Sequence, residues 1–314
     1  MKLFTSYVAL ALAAGRVLAA TYHNADTFQG NSFFSGFSFQ AISDPTHGRV
    51  NYVSESTARS QGLATVNGSN FILRADHTTT LSPSGPGRNS FRIQSNKAYG
   101  THVTVFNVAH MPQGCGTWPA LWEVGPNWPN GGEVDIVEGV NDRVPNQSTL
   151  HTSSGCTMPS SRAETGRSVS TDCNAAVAGN AGCGVQITDA NSYGPPFNNN
   201  GGGFYAMERT SSFVKIWFWA RHDGSVPSEV SSGAGSINTD SWGTPDAYFP
   251  NTQCNIASHF SASNIIINLT FCGDWAGAVY GNSGCPSTCN DYVNKNPSAF
   301  NNAYFEFPWV KVYE

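Results

Sequence analysis

Short apolar runs separated by turn-forming residues dominate the pattern of this 314-residue chain. Runs rich in Val, Ile, Thr, Phe and Trp recur between Gly, Pro, Asn and Ser, and no helical periodicity is sustained beyond the first 20 residues. The predicted strands include residues 102–109, 117–124, 133–137, 213–221, 265–271 and 304–313. The pattern predicts an all-β fold, and a two-sheet antiparallel β-sandwich of the jelly-roll type suits it best.

The predicted strand 213–221 is apolar on both faces. Successive side chains of a strand point to opposite sides, so Trp217 and Trp219 share one face while Val214 and Ile216 share the other. A strand with two apolar faces is covered on both sides. We therefore expect this strand to be sandwiched.

The first residues of the chain have the features of a signal peptide. Lys2 precedes an apolar run over residues 3–14, and the small residues Ala19 and Ala20 follow. We expect cleavage after Ala19, which leaves residues 20–314 as a single domain without a linker or a repeat. The apolar run is too short to span a bilayer. The sequence thus predicts a secreted, extracellular monomer with no membrane partner.

Eight cysteines are expected to form disulfides, because their number is even and the predicted compartment is oxidising. Spacing does not reveal which pairs form. Cys285 and Cys289 lack the second knuckle or histidine pair of a zinc site, so no metal is predicted there. Three Asn-x-Ser/Thr triplets, at Asn67, Asn146 and Asn268, are predicted glycosylation sites.

Composition narrows the range of partners. Charged residues make up 12% of the chain, and loss of Lys2 and Arg16 with the signal peptide leaves 14 of the 16 basic residues against 21 acidic ones. No basic cluster remains that would follow phosphates, so a nucleic-acid partner is excluded. Aromatic residues also reach 12%, with eight tryptophans. This combination suits uncharged sugar rings, which stack on aromatic side chains and need neutral hydrogen-bonding partners.

The chemistry is concentrated in residues 131–139 (GGEVDIVEG), where three carboxylates interrupt an apolar strand. Crowded carboxylates raise one another's pKa, which favours either a cation site or divided acid and base roles. Glu133 and Asp135 face the same side of a strand, but an offset of five places Glu138 on the opposite side. One extra residue, a β-bulge at Ile136 and Val137, would return Glu138 to the side of Glu133.

With such a bulge, the two glutamate Cα atoms lie about 13 Å apart on a flat strand. A retaining glycosidase needs carboxyl groups about 5 to 5.5 Å apart. Such a mechanism therefore predicts a curved sheet whose hollow is the substrate cleft. A calcium-binding patch, or an exposed strand with alternating acids, is the alternative interpretation.

This motif resembles the Glu-x-Asp-x-x-Glu signature of glycoside hydrolase family 16, with Glu133, Asp135 and Glu138 at the matching positions. Further matches lie at residues 90–95 (SFRIQS), 117–122 (TWPALW), 149–153 (TLHTS) and 309–313 (WVKVY). The resemblance implies retaining endo-hydrolysis of β-1,3-glucan, and also of mixed-linkage β-1,3-1,4-glucan, without a cofactor. It also implies that Glu133 is the nucleophile, Glu138 the general acid/base and Asp135 the residue that holds and tunes the nucleophile.

Five further residues are candidates for the site. Trp118 and Trp122 lie four apart on one strand face with the small Ala120 between them, as either an aromatic wall of the cleft or part of a core. By resemblance, Arg92 contacts a glucosyl unit and His151 lies near the carboxylates. Trp275, after Cys272-Gly273-Asp274, is a candidate sugar platform.

Other functions share these features. A glucan-binding, lectin-like module would share the fold and the aromatic residues but would not need the carboxylate pair. A cell-wall transglycosylase of the same family would share the residues and differ in whether a sugar or water accepts the glycosyl group. A calcium-dependent structural protein is a third possibility.

Overall fold

The computed structural model describes residues 21–314, in which two curled antiparallel sheets pack against each other. The all-β sandwich predicted from the sequence is confirmed. The predicted signal peptide, residues 1–19, lies outside the described residues.

One sheet has eight strands and carries the acidic motif; we call it the cleft sheet. In spatial order its strands are β12 (Arg167–Ser168), β13 (Cys183–Gln186), β11 (Gln147–His151), β10 (Glu133–Glu138), β9 (Thr117–Val124), β18 (Ser263–Phe271), β7 (Arg92–Tyr99) and β2 (Phe37–Phe39). The acidic strand β10 therefore lies in the interior of the sheet, with β9 on one side and β11 on the other.

The other large sheet, the outer sheet, has seven strands. In spatial order they are β16 (Ser236–Asn238), β1 (Thr21–Phe28), β20 (Trp309–Tyr313), β8 (His102–Val108), β14 (Gly203–Arg209), β15 (Phe213–Ala220) and β17 (Ala247–Pro250). Two small sheets complete the strands: β19 (Tyr304–Phe307), β5 (Asn70–Arg74) and β4 (Ala64–Asn67) in one, and β3 (Val50–Tyr52) parallel to β6 (Arg88–Ser90) in the other.

The helices are short and lie between strands. They are α1 (Ser32–Gly36), α2 (Glu55–Ser60), α3 (Gly194–Asn199), α4 (Ser228–Ser232), α5 (Ile256–His259) and α6 (Cys289–Lys295). Within residues 21–314, none has the length and apolar character needed to cross a membrane.

Two apolar clusters explain how the sheets are held together. The larger one fills the space between the sheets, with Leu121 and Val134 from the cleft sheet meeting Ile216 from the outer sheet. The smaller one covers the opposite face of the outer sheet and includes Trp217 and Trp219. Strand β15 thus contributes one face to each cluster, as its two-sided apolar pattern predicts.

The predicted strand 304–313 is wrong as a single element. It is two strands: β19 pairs with β5 in a small sheet, while β20 pairs with β1 and β8 in the outer sheet. The break falls at Pro308, which has no backbone N–H to donate to a ladder. The hydrophobic alternation continues across the proline although the chain changes partners there.

All eight cysteines are paired, as predicted. The bonds are Cys115–Cys285, Cys156–Cys254, Cys173–Cys183 and Cys272–Cys289. Cys285 and Cys289 belong to different disulfides, so neither offers a thiolate to a metal.

Candidate active site

A β-bulge in β10 brings the acidic motif to one face of the cleft sheet. Along β9, Asp135 pairs with Trp122 and Val137 with Leu121, so Ile136 is the extra residue. The β11 side shows the same shift between Asp135 and Glu138. The predicted bulge is therefore present, and it restores Glu138 to the face that carries Glu133 and Asp135.

Glycines on both sides of the motif permit close packing around it. Gly132 has a positive φ of 76°, and a Cβ atom there would lie 2.4 Å from the ring of Phe260. At Gly139 a Cβ atom would lie 2.5 Å from the ring of Tyr193. Both ends of β10 are thus fixed by neighbours that leave no room for a side chain.

Glu138 is mostly covered and receives a hydrogen bond from an indole. Trp118 Nε1 donates to Glu138 Oε1 at 2.8 Å. Burial raises the pKa of Glu138 from its ordinary value to about 7, and the Glu133 charge adds to the rise against the opposing effects of His151 and Trp118. A carboxyl group with this pKa can release and recover a proton near neutral pH.

Glu133 is contacted by a tryptophan, Trp128, that is not among the predicted site residues. Trp128 Nε1 donates to Glu133 Oε2 at 2.5 Å, and the Trp128 side chain is 48% exposed. It sits in a Pro- and Gly-rich loop five residues before Glu133. The signal available in the sequence was a tryptophan in a loop of turn-forming residues directly ahead of the acidic motif.

Asp135 and His151 form a buried pair beside Glu133. His151 Nε2 lies 3.3 Å from Asp135 Oδ2, and His151 Nδ1 donates to Asn180 Oδ1 at 2.9 Å. Strand register places His151 directly opposite Glu133. Asn180 therefore fixes the ring orientation that turns Nε2 toward the carboxylates; the sequence shows it only as one of many loop asparagines.

The electrostatics of this cluster favour bound protons. Burial raises the pKa of Asp135 well above its usual range, and the charges of Glu133 and Glu138 add to that rise. Burial alone would lower the pKa of His151, but its bond to Asp135 and the surrounding carboxylates raise it to about 10. His151 is therefore a cation at neutral pH.

The protonation of His151 argues against the interpretation of the acidic motif as a calcium site. The ligand atoms of Glu133, Asp135 and His151 lie within 4.8 Å of one another, a spacing that could hold a metal ion. An imidazolium ion has no free lone pair to offer a metal ion. A second group of this kind, Cys156, Cys254 and His259, contains a disulfide and so lacks free thiolates.

The remaining predicted site residues lie on the same face of the cleft sheet. The Arg92 guanidinium stacks 4.9 Å from the ring centre of Trp122, and its Nε donates to Gln40 Oε1 at 2.7 Å. Trp275 meets Trp118 edge to face, with 5.8 Å between ring centres. All four side chains keep partial exposure, so the tryptophans line a cleft rather than fill a core.

Two of the three predicted glycosylation sites are in the wrong environment. Asn146 is fully buried; its amide donates to Ile136 O and accepts from Glu138 N–H. Asn268 is 7% exposed on the cleft sheet, where it accepts a hydrogen bond from Trp122 Nε1. A glycan on either amide would displace these contacts. Only Asn67, in the exposed turn between β4 and β5, has room for one.

Comparisons with known proteins agree with this architecture. The model of the XgeA-like catalytic domain of family GH16 matches residues 37–313. A probable glycosidase from Schizosaccharomyces pombe is 44% identical over 300 residues, which cover 94% of this chain and 70% of that protein. The chain belongs to glycoside hydrolase family 16, with an XgeA-like catalytic domain.

Two solved structures are closely similar. GH16 laminarinase 16A from Phanerochaete chrysosporium, with 6-O-glucosyl-laminaritriose in donor and acceptor sites, is 62% identical with a TM-score of 0.93, covering 94% of this chain and 100% of that chain. An elongating GH family 16 β-1,3-glucosyltransferase is 40% identical with a TM-score of 0.87, covering 93% and 100%. The chain spans less than half the length of the fungal relatives named probable endo-1,3(4)-beta-glucanase.

Proposed function

We propose that this protein is a secreted endo-acting β-glucanase that cleaves β-1,3-linked glucan, and mixed-linkage β-1,3-1,4-glucan, with net retention. The observation that carries the proposal is the bulge, which brings Glu133 and Glu138 to one cleft face in different environments. The similarity to laminarinase 16A, whose structure holds β-glucans, supports the substrate class.

In the first step Glu133 attacks the anomeric carbon while Glu138 donates its proton to the departing glycosidic oxygen. The sugar is left as an ester on Glu133, and the configuration inverts. In the second step Glu138 takes a proton from water, which attacks the same carbon and releases Glu133. The second inversion restores the β-configuration.

The environment of Glu138 suits both halves of this cycle. With its pKa raised to about 7 by burial, it is about half protonated at neutral pH and largely protonated in mildly acidic solution, as the first step requires. Ester formation removes the Glu133 charge, which is one of the causes of the raised pKa. The pKa of Glu138 then falls, and the same carboxyl group is ready to act as a base.

Asp135 and His151 serve this cycle by holding the nucleophile. Asp135 lies on the same strand face as Glu133, and the positive charge of His151 faces both. The positive charge of His151 offsets part of the negative charge of the three acids, so the site does not require a metal ion to hold them together. The proposal therefore needs no cofactor.

Aromatic side chains bind the sugar rings in this proposal. Trp122, with Arg92 on its ring, forms one platform, while Trp118 and Trp275 form a second beside Glu138. Trp128, half-exposed next to Glu133, offers a third. Sugar C–H faces stack on such rings at low entropic cost because the rings have few rotatable bonds.

We also propose that the protein acts outside the cell as a monomer. Four disulfides require an oxidising compartment to form and persist. Asn67 is the sequon we expect to be glycosylated there.

The test combines product analysis with rescue by azide. Wild-type protein with laminarin should release β-anomeric ends first, observed by NMR, whereas a lectin-like module would bind laminarin without cleaving it. Glu138→Ala with an activated aryl laminaribioside and azide should give the β-glycosyl azide. Glu133→Ala should give the α-azide, because azide then replaces the nucleophile and inverts once.

The opposite results are equally clear. Early α-anomeric ends would exclude retention, and a reversed pattern of azide products would exchange the roles assigned to the two glutamates.

The similarity to an elongating glucosyltransferase makes glycosyl transfer the second candidate function. Products longer than the substrate, formed with laminarin, lichenan or chitin-derived acceptors as the main outcome, would establish it.

A further inference from the structure

The bulge in β10 interrupts the regular pairing of the strand ladder. Ile136 has no pairing partner on β9 or β11, and the register on β11 shifts between Asp135 and Glu138. Buried backbone groups need hydrogen-bond partners, so the carbonyl of Ile136 and the N–H of Glu138 must be satisfied at this irregularity.

A single side-chain amide satisfies them. Asn146 Oδ1 accepts from Glu138 N–H at 2.9 Å, and Asn146 Nδ2 donates to Ile136 O at 3.0 Å. Ser148 Oγ donates to the same carbonyl at 2.9 Å. The amide thus bridges the two ends of the bulge, one of which is the backbone of the proposed general acid.

We infer that Asn146 is a positioning residue that holds the β10 bulge in the form that aims Glu138 at the cleft; this rests on the proposed function. Asn146 does not touch the substrate face, since it is fully buried. It acts through the Glu138 backbone. Without the bulge, the Glu138 side chain would turn to the core face of the sheet.

The residue is well suited to this role because its own backbone is fixed. Asn146 N–H donates to Ser192 Oγ at 3.0 Å, and its carbonyl accepts from Ile187 N–H at 2.9 Å. The amide therefore has a fixed origin and two fixed targets. An error of about 1 Å at a reacting group can cost about 100-fold in rate.

This assignment also gives a new meaning to the Asn146-Gln147-Ser148 triplet. The Asn and the Ser of the apparent glycosylation sequon both donate to the bulge carbonyl, Ile136 O. A glycan on Asn146 would replace one hydrogen of the Nδ2 that donates to Ile136 O, and it could not fit in a buried site. The triplet is a structural element of the active site, and we expect it to remain unmodified in the folded protein.

The test compares Asn146→Ala on two substrates that differ in their need for an acid. The kcat/KM for laminarin, whose leaving group must be protonated, should fall by about 100-fold. The kcat/KM for a 2,4-dinitrophenyl β-laminaribioside, whose leaving group departs without a proton, should fall by less than about a tenth of that factor. A role in folding or substrate binding would lower both equally.

Ser148→Ala is the matched control. It removes the second bond to Ile136 O and destroys the sequon, but it leaves the bond to Glu138 intact. Its kcat/KM for laminarin should fall only a few-fold. The difference between the two variants therefore cannot come from a missing glycan.

Asn146→Asp covers the case in which the alanine variant does not fold. It keeps the side-chain shape and the acceptor for Glu138 N–H, and should show a smaller loss with the same preference for the activated substrate. Equal losses on both substrates, no loss, or failure of the aspartate variant to fold would overturn the inference. Failure of the proposed function would appear separately, as a wild-type protein that does not hydrolyse laminarin.

Discussion

A single buried acid and a cluster of three acids lie on opposite faces of the cleft sheet, and their charged surroundings differ. Glu123 on β9 pairs across the ladder with Val134, one residue from Glu133, yet its side chain points into the core. Glu133, Asp135 and Glu138 point to the cleft. The single acid and the cluster are separated by little more than the thickness of the sheet.

The core acid has two basic side chains beside it, those of His102 and Arg209. His102 Nε2 lies 2.8 Å from Glu123 Oε1, Thr104 donates to the same oxygen at 3.0 Å, and Arg209 Nε lies 4.0 Å from Oε2. Burial alone would raise the pKa of Glu123, but His102 and Arg209 outweigh it and lower the pKa. This carboxylate therefore stays ionised and cannot act as a proton donor.

The cleft acids have too few cations for their number. His151 alone faces three carboxyl groups, and the pKa values of Asp135 and Glu138 are raised in consequence. The comparison shows that burial does not by itself make an acid catalytic. What distinguishes the cleft is incomplete compensation, which leaves a proton free to move.

The largest expected effect tests the core side of this comparison. Glu123→Gln should lower the free energy of unfolding by about 3 to 5 kcal/mol, because it leaves Arg209 as a buried cation without its carboxylate. Urea unfolding at pH 6 measures the change.

The control for this variant is an acid in an exposed ion pair. Glu55→Gln breaks the pair with Arg59 on helix α2, where both side chains are exposed, and should cost no more than about 1 kcal/mol. Similar losses for Glu123→Gln and Glu55→Gln would mean that the core network contributes little to stability.

The second expected effect has the opposite sign. The pKa of Glu138 is about 7 in the folded protein and near 4.5 ordinarily, so the native state binds the proton more tightly. Its contribution to stability is complete below pH 4.5 and is lost as the pH rises through 7, by about 3 kcal/mol. Glu138→Gln should therefore be more stable than wild type at pH 8 by about that amount.

The pH dependence provides the check on that prediction. Thermal unfolding of Glu138→Gln and wild type should give nearly equal Tm values at pH 4 and diverge as the pH rises. The variant should also lose laminarin hydrolysis while gaining stability. Equal Tm values at pH 8 would mean that Glu138 is not strained by its charge.

The smallest expected effect concerns the orientation of the His151 ring in the cleft. Asn180→Ala removes the acceptor of His151 Nδ1 and should lower kcat/KM for laminarin about 5-fold, equivalent to about 1 kcal/mol. The Tm should fall only slightly, because Asn180 is exposed and the cost comes from its φ of 63°, which alanine adopts less readily than asparagine. Asn180→Asp keeps an acceptor and should retain activity; a loss equal to that of the alanine variant would exclude this role.

The parts of this site that were predictable followed from local geometry. The bulge at Ile136 was required because strands alternate sides and Glu138 lies five residues after Glu133. The common face of Trp118 and Trp122 followed from their four-residue spacing, but the spacing did not separate a cleft wall from a core. Such inferences need only the alternation of side chains along a single strand.

The parts that were missed depend on neighbours distant in sequence. One apolar pattern is divided between two sheets at Pro308, because the strand before it, β19, pairs with β5 and the strand after it, β20, pairs with β8. The sequons at Asn146 and Asn268 read as surface motifs until β10 and β9 cover them. Disulfide connectivity was equally hidden, since the bonded cysteines are 10 to 170 residues apart.

The position of β18 in the cleft sheet has a consequence for how the protein is made. Strands β9, β10 and β11 are neighbours both in sequence and in the sheet, but the other edge of β9 pairs with residues 263–271. During synthesis the two hairpins formed by β9, β10 and β11 are complete about 110 residues before that partner emerges. For this period β9 is an open apolar edge, the kind of surface that aggregates and that chaperones protect. The cleft is thus a late product of folding, and the open edge of β9 must be protected until β18 arrives.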